Sequence, residues 1–281
     1  MVKAIDIMCY IYTTEGVKKM FYEPEELHQV VKWWKLENKV RGYSPEEFIA
    51  LLDSAGVEYV CIPAVKMKSY KKDKLIWDIS IEEVKDAIDK IPGRGIGIAG
   101  VNPLSRMEGV KEVERAVKDF GFKGVYIHTY GFGIPLNDKL YYPFYAKCCE
   151  LSIPVFMQVG HSAESMPSRF AQPILLDDIA LDFPELTLVG AHTGWPWIEE
   201  MIAIAWKHPN VYIGIDAHMP KYLDPSLISF LKTRGRGKVI WGTNYPTIYQ
   251  KESLDQVKEW GLKEEVEKLL VRDVAVKVLK L

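Results

Sequence analysis

Short apolar runs alternate along this chain with segments of helical period. Eight runs are rich in β-branched residues: Ala4–Tyr10, Tyr59–Ala64, Gly95–Val101, Gly124–His128, Pro154–Val159, Leu186–Ala191, Val211–Ile215 and Lys238–Gly242. A nearly continuous apolar run is typical of a strand covered on both faces, as in a parallel sheet. Helices are predicted between and after them at Pro45–Ser54, Ile81–Ile91, Met107–Phe120, Tyr141–Leu151, Leu175–Leu181, Trp197–Trp206, Pro225–Lys232, Lys251–Trp260 and Lys263–Leu270, with Val271–Leu281 as a terminal tail or helix. Eight strand and helix pairs predict an α/β fold, a closed (β/α)₈ TIM barrel that spans residues 1–281 as a single domain.

Two stretches are longer than ordinary connections. Glu15–Asn38 follows the first strand and contains a predicted extra helix, which could be a lid, a dimer contact or a cap over the barrel mouth, with the cap preferred. The apolar positions of this helix are Val30, Val31, Trp33 and Trp34. The second stretch, Lys66–Lys74, is rich in lysine. Its charges could meet an anionic substrate, but a lysine run is more often a solvated face.

Composition narrows the classes of partner. The 281 residues include 36 Lys and Arg and 38 Asp and Glu, so the formal net charge is −2. This balance gives no global field toward nucleic acid or an anionic membrane surface, and we expect a small-molecule substrate as the partner. Plentiful Lys and Glu with scarce Gln and Asn are also typical of thermophilic proteins.

The sequence also bears on the compartment. Met1–Asp6 lacks the apolar core of a signal peptide, and no apolar run approaches the roughly 20 residues of a membrane span. The spacing of Cys9, Cys61, Cys148 and Cys149 suits neither a disulfide framework nor a zinc clip. We therefore expect a soluble cytoplasmic protein with reduced, mostly buried thiols.

Histidines gather at one rim of the predicted barrel. Catalytic residues of TIM barrels lie at the carboxyl ends of the strands. Of the six histidines, the four at or just past a predicted strand end are His128, His161, His192 and His218, whereas His28 and His208 lie elsewhere. A single histidine is more often a hydrogen-bonded structural residue, but four at one rim favour a functional site.

Other residue types accompany these histidines. The aromatic residues that flank the same strand ends are Tyr10, Tyr126, Tyr130, Phe132, Trp195 and Tyr245. They are consistent with a planar ligand or with ordinary packing at the barrel mouth. The loop Ser162–Arg169 adds hydroxyls, Glu164 and a cation. Arg169 could hold a substrate carboxylate in a bidentate pair, or could be a surface arginine that stabilises the loop.

One motif gives a false match to the fingerprint of a cofactor-binding fold. Gly95–Gly100 matches the Gly-x-Gly-x-x-Gly fingerprint of dinucleotide-binding proteins. That fingerprint must follow a strand and open a helix, whereas here the glycines form the predicted strand itself. We therefore do not expect nucleotide binding.

Several motifs, in order along the chain, resemble the amidohydrolase family 2 proteins of the amidohydrolase superfamily. They are Ala4–Asp6, Gly121–His128, Ile153–His161, Leu186–Gly194, His208–Ile213, Pro220–Tyr222 and Lys238–Pro246. The resemblance is strongest from Phe120 to Pro246. It implies a metal-assisted barrel that acts on amides, lactones or other esters, or in one branch decarboxylates aromatic and unsaturated acids. Such proteins often form dimers, so a homodimer is a further expectation.

Most of the metal ligands that this resemblance implies are replaced. The His-x-His pair of the family's first strand corresponds to Met8 and Tyr10, its fifth-strand histidine to Gln158 and its eighth-strand aspartate to Asn244. The sixth-strand histidine is retained as His192. One retained ligand cannot hold zinc, so no cofactor is expected.

A substitute site remains an alternative. Zinc or another divalent metal could be held at a non-standard site by His128, His161, His192 and His218 with Asp216. Asp216 follows Ile215, and the alternation of side chains along a strand predicts that it faces away from its neighbours and lies outside the pocket.

The leading hypothesis is a hydrolase that works without the usual metal. His192 or His161 would act as general base toward water, with His128 as a further catalytic candidate. Gln158, Asn244 and Tyr10 would donate hydrogen bonds to the developing oxyanion. The residues expected to contact the substrate are His218, Arg169, Tyr130, Trp195 and Tyr245.

Such a site suits an activated ester or lactone, with an aromatic or carboxylate-bearing substrate as one possibility. Two alternatives remain: a decarboxylase of the same superfamily, which is a lyase, and a non-catalytic relative that binds a small molecule.

Overall fold

The computed structural model describes residues 2–37 and 39–281, so Met1 and Asn38, which bound the predicted N-terminal segment and the insertion, lie outside the described residues. The strands are β1 (Ala4–Asp6), β2 (Val57–Pro63), β3 (Lys66–Lys68), β4 (Leu75–Asp78), β5 (Gly95–Gly100), β6 (Val125–Ile127), β7 (Val155–Gln158), β8 (Leu188–Ala191), β9 (Val211–Gly214) and β10 (Val239–Ile240). The α-helices are α1 (Thr14–Val17), α2 (Glu25–Trp33), α3 (Pro45–Ala55), α4 (Ile81–Asp89), α5 (Arg106–Lys118), α6 (Tyr142–Leu151), α7 (Leu175–Asp182), α8 (Ile198–Lys207), α9 (Pro225–Lys232), α10 (Gln250–Lys258), α11 (Glu264–Lys268) and α12 (Val274–Leu279). Each predicted barrel strand and helix is confirmed, with shifted ends.

Eight of the strands form one parallel sheet in the order β1-β2-β5-β6-β7-β8-β9-β10. Its two ends meet through a parallel bridge between Cys9 and Tyr245. The N–H of Tyr10 donates to the carbonyl of Tyr245 at 2.9 Å, and the N–H of Asn244 donates to the carbonyl of Met8 at 2.8 Å. The sheet therefore closes on itself, and the predicted TIM barrel is confirmed.

Local sequence explains where the helices begin. Ser44 and Ser80 each accept a hydrogen bond from the backbone N–H three residues later, and the Glu47 and Glu83 side chains accept from the serine N–H in return. These reciprocal bonds satisfy backbone donors that a helix start leaves free. Helix α3 ends at Gly56, whose φ of 73° is a left-handed conformation that glycine adopts without a Cβ clash.

A buried carboxylate joins the first and last strands of the barrel. Asp6 accepts hydrogen bonds from the N–H of Met8 (3.1 Å), the N–H of Thr243 (2.9 Å), the hydroxyl of Thr243 (2.6 Å) and the amide of Gln250 (3.1 Å). Burial raises the pKa of Asp6 to about 7 although these bonds act to lower it. Because Thr243 precedes Asn244, this cluster positions the carboxyl end of β10.

Removing the Thr243 hydroxyl tests this clamp. Thr243→Val removes a hydroxyl that donates to the Asp6 carboxylate and accepts from the N–H of Tyr245 at 3.0 Å. Above the Asp6 pKa of about 7, we therefore expect the free energy of unfolding to fall by about 2 kcal/mol, the cost of a lost buried hydrogen bond to a charged group. Urea unfolding measures it. Thr187→Val is the control for the substitution itself, since this half-buried threonine lies outside the Asp6 cluster. Equal losses in both variants would contradict the clamp.

The insertion after β1 lies across the barrel mouth, as the preferred cap hypothesis expects. Helix α2 buries Leu27, Val30 and Val31, and these residues line the cavity at the mouth. Trp33 points away and is 68% exposed. The apolar face of the helix thus forms part of the cavity wall.

The lysine-rich stretch agrees with its prediction only in part. Its first residues form β3, which pairs with β4 in an antiparallel hairpin. The solvated-face interpretation holds for Lys71, Lys72 and Lys74, which are exposed, but it is wrong for Lys66, which is 8% exposed. The Lys66 ammonium lies 2.7 Å from the Asp78 carboxylate, and such pairing explains its burial. Lys72 lies 2.5 Å from Glu25 of α2 and links the hairpin to the insertion.

Two further expectations concern the whole chain. All four cysteines are free thiols, and Cys9, Cys61 and Cys148 are buried as predicted. Over residues 2–37 and 39–281, no helix combines the length and apolar character that crossing a membrane requires.

Candidate active site

A cavity of about 80 Å³ lies at the carboxyl ends of the barrel strands. Its polar lining residues are Tyr10, Gln158, His161, Glu164, His192, His218, Asn244 and Thr247. Its other lining residues are Phe21, Leu27, Val30, Val31, Trp34, Trp77, Ala163 and Ala217. The space admits several water molecules or a small ligand. The predicted site residues that the fold brings together here are Tyr10, Gln158, His161, His192, His218 and Asn244.

His192 has a carboxylate partner behind it. Its Nδ1 lies 2.6 Å from Oδ2 of Asp216, an ion-pair contact whose alignment falls short of a regular hydrogen bond. Burial would raise the pKa of Asp216, but the electrostatic attraction and hydrogen bonds of the adjacent His192 hold it below its usual value. An ionised carboxylate at Nδ1 favours a proton on that nitrogen, which leaves Nε2 as a proton acceptor. Asp216 does not line the cavity, as predicted, yet it reaches the site through His192.

The backbone at three strand ends is left-handed. The φ angles are 66° at His192, 64° at Thr193, 63° at Ala217 and 71° at Asn244. For residues other than glycine this conformation costs on the order of 1 kcal/mol or more and persists only where surrounding structure enforces it. Such outliers cluster at functional sites, and here they set the direction of the His192 and Asn244 side chains.

Three neutral side chains add hydrogen-bonding capacity. Oε1 of Gln158 accepts from the Tyr126 hydroxyl at 3.0 Å, which leaves the amide nitrogen free to donate. Burial, with the negative charge of Glu164, raises the pKa of Tyr10, so its hydroxyl stays protonated. Asn244 is 7% exposed, and its Oδ1 has no hydrogen-bond partner among the described residues.

Glu164 is a lining residue that the sequence prediction did not select. Its side chain is 10% exposed, and Oε2 accepts from the Ser162 hydroxyl at 2.7 Å. Burial would raise the pKa of Glu164, but His128 and Ser162 lower it to about 2, so the carboxylate is charged. The one feature of the sequence that could have identified Glu164 is that it is an acidic residue in the loop after β7.

His128 is buried outside the cavity lining. It is 1% exposed, and its Nε2 lies 3.9 Å from Oε1 of Glu164, an ion-pair distance rather than a hydrogen bond. Neither ring nitrogen has a hydrogen-bond partner in the described part of the chain. Its position suits a partner of Glu164 better than a group that touches substrate.

The two remaining lining histidines differ from each other. His161 is exposed at the rim, where its ring meets Trp195 edge-on at 5.2 Å. Burial and the nearby His192 lower the pKa of His218 to about 4, so this imidazole is neutral at pH 7. Trp195, 47% exposed, lies beside both rings at the rim but not in the cavity lining.

Three predicted substrate-binding residues lie away from the cavity. Arg169 is exposed, with its guanidinium 4.4 Å from the centre of the Phe170 ring. Tyr130 is fully buried and donates to the carbonyl of Gly160 at 3.1 Å. Tyr245 is fully buried in the aromatic core outside the lining. Tyr130 and Tyr245 follow strands and Arg169 lies in the loop after β7, as predicted, but the three side chains turn elsewhere.

The residues at the implied metal-ligand positions do not fit a divalent cation. Met8 is 1% exposed and lies outside the lining, the Tyr10 phenol is protonated, and Gln158 and Asn244 are neutral amides. Zinc and manganese prefer imidazole, carboxylate or thiolate ligands. Within residues 2–37 and 39–281, no three His, Cys, Asp or Glu side chains form a group that could hold an ion.

Comparison with known proteins gives three kinds of match. A profile described as amidohydrolase matches residues 75–281. A 2-keto-4-carboxy-3-hexenedioate hydratase of Sphingobium sp. is 32% identical over 101 residues, which cover 30% of this chain and 30% of the hydratase. An uncharacterised TIM-barrel protein of Bordetella bronchiseptica superposes with a TM-score of 0.82, 22% identity and 99% coverage of both chains.

Two decarboxylases share the fold. The 2,6-dihydroxybenzoate decarboxylase of Rhizobium has a TM-score of 0.72 and 16% identity, with 100% of this chain and 99% of that chain covered. The 5-carboxyvanillate decarboxylase of Novosphingobium aromaticivorans, complexed with manganese, has a TM-score of 0.76 and 16% identity, with 100% and 96% covered. At these identities the likeness concerns the fold.

Proposed function

This chain belongs to the amidohydrolase family, and from that premise we propose that it hydrolyses a small activated ester or lactone with His192 as general base. The observation that carries the proposal is the buried ion pair between Asp216 and Nδ1 of His192, at 2.6 Å, behind an imidazole that lines the cavity. A carboxylate in this position orients the ring and stabilises the imidazolium that forms when Nε2 takes a proton.

The reaction begins with water between His192 and the substrate carbonyl. Nε2 of His192 accepts a proton as the water oxygen forms a bond to the carbonyl carbon, and the carbonyl oxygen becomes an oxyanion. The amide nitrogens of Gln158 and Asn244 and the hydroxyl of Tyr10 are the donors available to that oxyanion. Fixed donors of this kind stabilise the transition state because they need no reorganisation.

The second step breaks the ester bond. The oxyanion re-forms the carbonyl, the bond from carbon to the leaving oxygen breaks, and the imidazolium of His192 gives its proton to that oxygen. His192 returns to its neutral form. A leaving group that is stable as an enol or phenol lowers this barrier, so an activated ester or a lactone is favoured over a plain amide.

A lyase is the second candidate, and the names of similar proteins favour it. Decarboxylases share this fold, and the matched hydratase suggests addition of water to a double bond, for which the same general base would serve. A decarboxylase, however, must hold a carboxylate. Of the described lining residues none is lysine or arginine, so we rank hydrolysis of an uncharged ester first.

A substrate panel tests the proposal. Purified protein is assayed with phenyl and enol esters, small lactones and 2,6-dihydroxybenzoate, with product release followed by absorbance or chromatography. Hydrolysis of esters or lactones without decarboxylation supports it. Turnover of the aromatic acid alone would replace it with the lyase assignment.

Metal removal is a separate prediction. Because the residues at the implied metal-ligand positions do not fit a divalent cation, we expect dialysis against a strong chelator to change kcat/KM for an ester substrate by less than about two-fold, with the melting temperature unchanged. Metal content is measured by mass spectrometry before and after dialysis. Loss of activity with one metal ion per chain, restored by adding the metal, would contradict the prediction.

A further inference from the structure

We infer that the cavity selects a planar substrate that is neutral or cationic and carries hydroxyl or amine donors, which Glu164 and Asn244 recognise. The inference rests on the proposed function for the reaction and names the substrate class of the same cavity. A substrate of this class lacks the carboxylate of the aromatic acids after which the two decarboxylases are named.

The first observation is a pair of acceptors without donors. Oε2 of Glu164 is occupied by Ser162, while Oε1 has only the His128 ring at 3.9 Å. Oδ1 of Asn244, also in the lining, is buried without a hydrogen-bond partner among the described residues. Leaving a buried acceptor such as Oδ1 of Asn244 unpaired is unfavourable, and a donor on the ligand would relieve that cost.

The second observation is the charge of the lining. Glu164 contributes a carboxylate to the lining, with the His128 ring, which lies outside the lining, 3.9 Å from its Oε1. Over the described residues the lining holds no lysine or arginine. The carboxylate of Asp216 lies one residue deeper, against His192. A substrate carboxylate would enter with its own desolvation cost and meet repulsion from Glu164, whereas a hydroxyl or ammonium would gain a charge-assisted hydrogen bond.

The third observation is the shape of one wall. Tyr10 and Phe21 lie around Trp77, with ring centroids 5.2 Å and 5.8 Å from it, and all three rings line the cavity. Aromatic walls favour flat ligands and tolerate a cation on their faces. Together with Glu164 they favour an aromatic substrate with hydroxyl or amino substituents.

Matched esters test the inference. Hydrolysis of 4-hydroxyphenyl acetate, 4-aminophenyl acetate, phenyl acetate and 4-carboxyphenyl acetate is compared on the wild type. We expect KM for the hydroxyl and amino esters to be at least about 10-fold below that for the carboxylate ester, the worth of one charge-assisted hydrogen bond. Equal KM values, or a lower KM for the carboxylate ester, would overturn it.

Glu164→Gln tests whether this side chain causes the preference for hydroxyl and amino esters. We expect KM for the hydroxyl ester to rise about 10-fold, with kcat changed by less than about three-fold, because the variant keeps the shape but loses the charge. Glu199→Gln, on the exposed first turn of α8, is the matched control. If Glu164→Gln does not fold, Ser162→Ala, which removes the donor to Oε2, should shift KM in the same direction by about three-fold. An unchanged preference in the variant that folds would overturn the assignment.

A binding measurement tests this inference independently of the proposed reaction. Calorimetry compares hydroquinone with 4-hydroxybenzoate on the wild type, and neither compound needs to turn over. Hydroquinone binding about 10-fold tighter supports the substrate class even if no ester is hydrolysed. Equal or tighter binding of the benzoate, or binding of neither, overturns it.

Discussion

Replacing His192 by asparagine should lower kcat for an ester substrate by about 10²–10⁴-fold, the usual contribution of a general base. Asparagine is chosen because it tolerates the left-handed backbone at this position, where φ is 66°. The variant removes the atom that accepts a proton from water but keeps the fold. KM should change little, because the carbonyl and its substituents are held by other side chains. Steady-state kinetics with a sensitive fluorogenic ester measure both constants.

The chain supplies a matched control for this variant. His208 is also a buried histidine whose ring nitrogen lies 2.6 Å from an aspartate, Asp177, but it is not part of the cavity lining. His208→Asn should therefore leave kcat within about two-fold of wild type while changing stability. Equal activity of the wild type and His192→Asn would show that the base has been misassigned, and His161, at the rim of the same cavity, would become the next residue to replace.

Replacing Asp216 by asparagine should lower kcat by up to about 10⁴-fold without a comparable rise in KM. The amide cannot stabilise an imidazolium as an anion does, and its NH₂ group can force the proton of His192 onto Nε2. Asp216 acts through His192, so the loss should fall on kcat. Asp216→Glu, which keeps the charge, should recover part of the activity.

Asp177→Asn is the control for the loss of an aspartate next to a histidine, although Asp177 is half-buried rather than buried. It removes the same kind of contact, at 2.6 Å to His208, and should leave kcat near the wild-type value. Circular dichroism and thermal unfolding establish that the Asp216 variants are folded. A loss of activity that follows stability alone, equal in the Asp216 and Asp177 variants, would contradict the positioning role.

The sequence predicted the fold because the strand pattern and the helix pattern indicate the same architecture. Eight apolar runs separated by amphipathic segments leave few alternatives to a closed parallel barrel. The same rule predicted which side chains meet, since the carboxyl ends of parallel strands share one rim. Tyr10, Gln158, His192 and Asn244 come from different strands, and all four line the cavity.

The predictions that failed concern residues that lie beyond the ends of the strands. The alternation rule cannot give the contacts of Asp216, because β9 ends at Gly214 and the chain then turns through Ala217. Tyr130 begins a 3₁₀ turn and points into the core. Glu164 lies in a loop, where no period relates position to direction. Side-chain orientation in such segments follows from tertiary contacts that a single sequence does not display.

The left-handed residue at the end of β10 affects how this site can evolve. A β-branched residue would be strained at position 244, where φ is 71°, whereas asparagine and aspartate both adopt this conformation readily. The codons of these two residues differ by one nucleotide, so the backbone leaves the route to a carboxylate at this position open. A descendant could therefore regain an anionic ligand in one mutational step, while Met8, Tyr10 and Gln158 would still need separate changes.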